Sequence, residues 1–277
     1  MKVYTLNEAQ GTDDQVNRLT ADLTGKIMDG YVGQEFMTFE FRMDVDYKGR
    51  NGNRRTVSVP VELTPDYFED LGVGCADTDD SYWCRNHKWP IYVRISLKGG
   101  RQVNRATVSN SVSHELMHVI TLVREFMENR RDGTELFVNH REHDALGKVQ
   151  YFLCDNEQSS YVQGMYSWCK ECTEKIMKEK GRKPTKKEFE KTVKNSREWK
   201  WLLYCEQVLD NAEAEDIEER IWRQNGGQPD GDLRKYTGIG SSHASFRNYY
   251  YGKIKKSKMK MLKAAYKGYT DAVKEYK

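Results

Sequence analysis

Residues 113–119 read Ser-His-Glu-Leu-Met-His-Val. His114 and His118 stand four positions apart, so a helix projects both imidazoles from one face, about one turn from each other. Two neutral ring nitrogens in that arrangement grip a single zinc ion. Glu115, one residue round, then faces the water that the ion holds, where its carboxylate serves as general base. Val112, Leu116, Val119, Ile120, Val123, Phe126 and Met127 supply an apolar stripe at helical spacing through the same stretch. The motif therefore falls mid-helix and in phase with a buried face.

A catalytic zinc takes three protein ligands and leaves a position for water. The metzincin extension of the motif requires glycine at 121 and histidine at 124, but this chain has Thr121 and Arg124 and is excluded from that class. Glu157, in Asp155-Asn156-Glu157-Gln158-Ser159-Ser160-Tyr161, lies 39 residues after His118 on the next predicted helix. An antiparallel return would bring its carboxylate to the metal. The competing third ligands are His140, His143 and Asp144, because catalytic zinc accepts either three histidines or two histidines and a glutamate. For the oxyanion of the tetrahedral intermediate, Tyr151, Tyr161, Tyr166 and His243 are the donors to consider.

The elements that must position these groups follow from periodicity. Residues 12–32 carry Val16, Leu19, Leu23, Ile27 and Met28 at helical spacing. From Phe36 to Tyr47 the pattern alternates as a strand, and Lys48 to Asn53 is a turn with an Asn-Gly pair. A second strand, Arg54 to Leu63, completes a hairpin. A short helix and turn is expected over Pro65–Gly74, and an irregular acidic loop over 75–89. Ile91–Leu97 is a third strand, followed by the motif helix from about Asn104 to Glu128. Residues 129–147 read mostly as loop. One helix is expected from Lys148 into the 170s. Thr185-Lys186-Lys187-Glu188 is a capping box for the next, which ends near Ser196. A further helix is expected over Arg197–Asn225, then a Gly-rich link over 226–242, and a Tyr- and Lys-rich helix over Phe246–Tyr276.

With Ser113–Val119 and Asn156–Ser160 the chain resembles the gluzincin zinc metallopeptidases, and its order of helix, hairpin, third strand and motif helix is similar to the minimal zincin domain of minigluzincins. That resemblance implies an α+β zincin-like domain with a small antiparallel or mixed sheet. It also implies Zn2+ held by His114, His118 and Glu157, Glu115 as general base, and a protein or peptide substrate. The strand Ile91–Leu97 resembles the zincin edge strand that pairs with an extended substrate. Thermolysin-like members place an aspartate four residues after the ligand glutamate. Tyr161 stands there in this chain, so Asp155 or a backbone carbonyl must orient the histidine instead.

Length and composition set the remaining bounds. The 277 residues accommodate a zincin-like domain over 1–180 and a basic helical extension over 181–277. No apolar run reaches membrane-spanning length and no secretory h-region opens the chain, so a cytoplasmic or virion-associated protein is expected, with its six cysteines as reduced thiols. Cys169-Lys170-Glu171-Cys172 has the form of a metal half-site without a matched second pair. The net charge is only +3, but residues 178–200 hold ten Lys or Arg against four Glu, and residues 252–277 nine Lys against two acids. This Lys/Tyr-rich tail suits nucleic acid, or else pairs with the acidic stretch Glu206–Glu219. Two functions follow: a zinc metallopeptidase, or a catalytically silent zincin-fold structural or interaction protein of a phage or mobile element, with the tail as its contact.

Overall fold

The computed structural model describes residues 2–5, 12–33, 37–49, 51–66, 76–79, 81–97, 103–129, 144–224 and 242–276. It is an α+β arrangement, mainly helical, with one small mixed sheet. The strands are β1 (Lys2–Thr5), β2 (Met37–Lys48), β3 (Arg54–Asp66), β4 (Ala76–Asp79) and β5 (Ile91–Ser96). They lie in the order β1-β2-β3-β5-β4.

The long hairpin of β2 and β3 forms the body of the sheet. Phe39, Phe41, Met43 and Val45 pair across from Leu63, Val61, Val59 and Val57, so one face is apolar and the other polar. The Asn51-Gly52 turn closes it as expected: Gly52 has φ +76°, and its N–H donates to the Gly49 carbonyl at 2.8 Å. Two helices cover the apolar face, α1 (Thr12–Gly33) and α3 (Arg105–Asn129). Val16, Leu19, Leu23 and Ile27 of α1 share one core with Val108, Val112, Leu116, Val119, Ile120 and Val123 of α3.

Several expected boundaries move. The short helix expected at Pro65 is instead the end of β3, because the parallel ladder with β5 carries the strand through Pro65 and Asp66; residues 67–75 lie outside the described residues. The loop expected over 75–89 contains β4 and a short helix α2 (Ser81–Arg85). Backbone pairing with β5 asks nothing of the β4 side chains, so Asp77-Thr78-Asp79 leaves no hydrophobic pattern to read. Trp83 anchors α2, 1% exposed, with its ring stacked on His87 and edge-on to Phe126 of α3. Because β4 pairs along its outer side, β5 is not the edge strand that had been expected; β4 is.

The remaining helices are α4 (Ala145–Phe152), α5 (Asp155–Lys180), α6 (Lys186–Asn195), α7 (Arg197–Asn211), α8 (Ala214–Gln224) and α9 (His243–Glu275). The single helix expected from Lys148 is thus two, broken at Leu153-Cys154, and the helix expected over 197–225 breaks at Ala212-Glu213. The capping box of α6 forms in both halves: Glu188 N–H donates to Thr185 Oγ1 at 3.3 Å, and Thr185 N–H to Glu188 Oε2 at 2.7 Å.

Helices α4 to α9 build a second apolar core around Leu146, Val149, Met165, Leu202, Leu209, Phe246, Ile254 and Met261. Helix α5 packs against both α3 and α9. The α5–α9 crossing is close because Gly268 is small there: a Cβ on it would stand 2.4 Å from the Tyr166 carbonyl oxygen. No described helix is long and apolar enough to cross a membrane.

Candidate metal centre

Helix α3 puts His114, Glu115 and His118 inside the molecule, at 5%, 4% and 5% exposure. They form a buried group whose ligand atoms lie within 4.8 Å of one another and could hold a metal ion, the one such group among the described residues. The apolar stripe fixes this, since Leu116 and Val119 belong to the core and bring the histidines in with them.

The break at Leu153-Cys154 has a consequence for the site. It restarts the chain as α5, so that Glu157 falls in the first helical turn, where the positive end of the helix dipole favours a carboxylate. Glu157 is 2% exposed. One of its oxygens is 3.5 Å from His114 Nε2, the other is 3.3 Å from His118 Nε2, and the two Nε2 atoms are 3.0 Å apart. Ligand atoms at about 2.1 Å from a tetrahedral ion stand roughly 3.4 Å from each other. The three separations fit that spacing. Glu115 Oε1 lies just outside them, 3.9 Å from His114 Nε2.

The electrostatics suit a cation. Burial alone would raise the Glu157 carboxyl, but the hydrogen bond with His114 and the fields of His118 and His114 hold it down at about 2. Burial, followed by the proximity of His114, lowers His118 and keeps it neutral, the form that binds metal. The Nδ1 of His114 meets no acceptor among the described residues. Tyr161 does not orient it through oxygen; instead its ring packs beside the imidazole, with centroids 5.0 Å apart. The side chain of Asp155, the other expected orienting group, lies outside what is described.

The remaining sequence candidates separate clearly. Asp144 is engaged elsewhere: it accepts the Gly147 N–H at 2.6 Å as the cap of α4 and pairs with Arg220 at 3.1 Å. His140 and His143 fall outside the described residues. Of the four oxyanion donors considered, Tyr151 hydrogen-bonds Glu157, and Tyr161 stands within its field; burial first, then Glu157, raises both phenols and keeps them protonated. Tyr166 donates instead to Asp271 of α9 at 3.1 Å, and His243 lies 3.8 Å from Glu218. Cys169 and Cys172 are free thiols on α5 and join no metal-ligating group among the described residues.

Three residues at the site carried no local sequence signature. Asn110, one turn before His114, donates from Nδ2 to Glu198 Oε1 at 2.8 Å and to the Gly164 carbonyl at 3.1 Å. Glu198 is fully buried, and Arg197 Nε lies 3.5 Å from it. The Arg197 cation also interacts with Tyr161, Glu115 and Glu157, so the first turn of α7 contributes positive charge near the candidate site. Residues 110 and 198 are far apart in sequence, and no periodicity links them.

Comparison with protein-family models, with curated proteins and with solved structures finds no match to this chain.

Proposed function

We propose that this protein is a zinc-dependent metallopeptidase of gluzincin type, with His114, His118 and Glu157 as the metal ligands and Glu115 as general base. One observation carries the reading. Three buried donors stand 3.0–3.5 Å apart, with a second carboxylate, Glu115, beside them at 3.9 Å from His114 Nε2. A carboxylate that stands outside the triangle of three donors, rather than closing it as a fourth ligand, is placed as a general base must be.

Zinc, when bound, supplies a Lewis acid that polarises the scissile carbonyl and acidifies a water. Glu115 accepts that water's proton on its carboxylate and delivers it to the leaving amide nitrogen. Of the four phenol and imidazole candidates, Tyr151 is assigned as oxyanion donor because it is protonated and hydrogen-bonded to the ligand Glu157. Arg197, paired first with Glu198, adds a favourable positive field at Glu115 and Glu157. Among the described residues no strand pairs with the outer edge of β4, which is where an extended peptide would add.

The test joins metal content to hydrolysis. The purified wild type is expected to hold one equivalent of zinc and to cleave members of a peptide library. His118→Ala and Glu157→Ala lose the metal. Glu115→Gln retains it while the rate falls by about 10²–10⁴. Zinc retained in Glu157→Ala would remove Glu157 from the ligand set, and unchanged hydrolysis by Glu115→Gln would overturn the mechanism.

A further inference from the structure

The outer surface of α9 is charged in a way the metal centre does not use. Lys256, Lys260, Lys263 and Lys267 follow at intervals of four, three and four residues, which aligns them in one row along the helix. Lys255 stands beside the row. All five are exposed, and none has a carboxylate partner among the described residues. Lys267 makes one contact, over the Tyr166 ring at 5.5 Å.

The acidic stretch that might have neutralised the tail does not reach this row. Glu206 takes Lys258 at 2.5 Å, and Asp210 accepts from Tyr251, both away from the row. Next to the lysines run Met259, Leu262 and Tyr266, exposed by 54%, 44% and 64%. Helix α6 packs on another flank of α9 and carries lysines of its own. Its Phe189 packs edge-on against Tyr269 of α9 at 5.5 Å, and Lys186, Lys187, Lys191 and Lys194 are exposed.

We infer that the lysine row of α9 is a docking surface for the phosphate backbone of nucleic acid, read without regard to base sequence. The row spans twelve residues, eleven rises or about 16 Å of helix, the length over which one strand of a duplex presents about five phosphates. Tyr266, between Lys263 and Lys267, adds a ring on which an unpaired base can stack. An anionic membrane fits less well. The broad apolar face of α9, with Phe246, Tyr250, Ile254, Met261 and Ala265, is already committed to the core and cannot insert into lipid. This surface is independent of the metal-centre reading.

The experiment is fluorescence anisotropy of the full chain with a labelled duplex of about 20 base pairs, at about 50 and 200 mM salt. With five lysines engaged, the expected slope of log affinity against log salt is near −4.5, roughly a 500-fold loss across that range. Changing Lys256, Lys260, Lys263 and Lys267 together to Gln leaves Lys255 alone and reduces the loss to about fourfold. The same four changed to Arg retain binding and slope, which separates charge from folding. Absence of binding by the wild type, or an equal slope in the Gln variant, overturns the proposal. So does binding confined to phosphatidylserine vesicles, which would assign the face to a membrane.

Discussion

Glu198 is a fully buried carboxylate whose partners are Asn110 on α3 and Arg197 beside it. Removing one member of such a group leaves the others desolvated and unpaired, at a cost of roughly 3–5 kcal/mol. Glu198→Ala is therefore expected to lower the urea midpoint strongly and to weaken zinc affinity as well, since Asn110 lies one turn from His114. Loss of stability with unchanged zinc affinity would show that the network supports α7 alone. The thiols give a second residue-level expectation. Burial pushes Cys172 and Cys205 up to about 12, while an unfolded thiol titrates near about 8.5. A group whose folded pKa is raised stabilises fully below its unfolded pKa, and that stability is lost as pH rises toward the folded value. The protein should thus unfold at lower urea at pH 10 than at pH 7. Replacement of Cys172 and Cys205 by Ala should flatten the difference, and an unchanged difference would place its origin in other groups.

At the level of elements, Gly268 shows where packing rather than propensity sets the structure. Gly268→Ala improves helix propensity, yet its Cβ would meet the Tyr166 carbonyl at 2.4 Å, backbone that cannot swing aside. The α5–α9 pair must separate, and a loss of about 1–3 kcal/mol is expected, read as a lower midpoint in thermal unfolding. A neutral or stabilising Ala would mean the helices move apart freely. The same contrast explains what the sequence revealed. Elements with a periodic apolar face (α1, β2, β3, β5 and α3) stand within a few residues of where the pattern puts them, and so does the capping box of α6. The misses share a cause. β4 is held by backbone pairing to β5, and the breaks at Leu153-Cys154 and Ala212-Glu213 contain no Gly or Pro. At the second break Asp216 accepts the Glu213 N–H at 3.3 Å and starts α8, whereas α5 starts at Cys154 without a side-chain cap bond, so neither restart is announced by an apolar pattern. His114, Glu115 and His118 were legible because one helical turn holds them together. Arg197 and Glu198 were not, because only tertiary packing brings them to the site.

At the scale of the whole molecule, α5 links two apolar cores. It carries Glu157 at one end, packs along α3, and packs on α9 through the Gly268 crossing. The first turn of α7 meets the same pair of helices through Glu198, Asn110 and Gly164. An ion bound between α3 and α5 would therefore tighten contacts beyond residue 180. Stabilisation by a ligand follows mass action, about 2.7 kcal/mol at a hundredfold excess over Kd. Zinc should raise the melting temperature of the wild type and leave that of His114→Ala unchanged. Hydrogen exchange locates the effect. Added zinc is expected to slow amide exchange in α3, in the first turns of α5, and also over residues 197–200 at the start of α7. Protection confined to α3 and α5 would mean that Glu198 sits beside the centre without being coupled to it. The helices after 181 would then serve the metal only as a wall. Protection reaching α7 would make them part of the centre, with Arg197 held in place by the same event that fills the site.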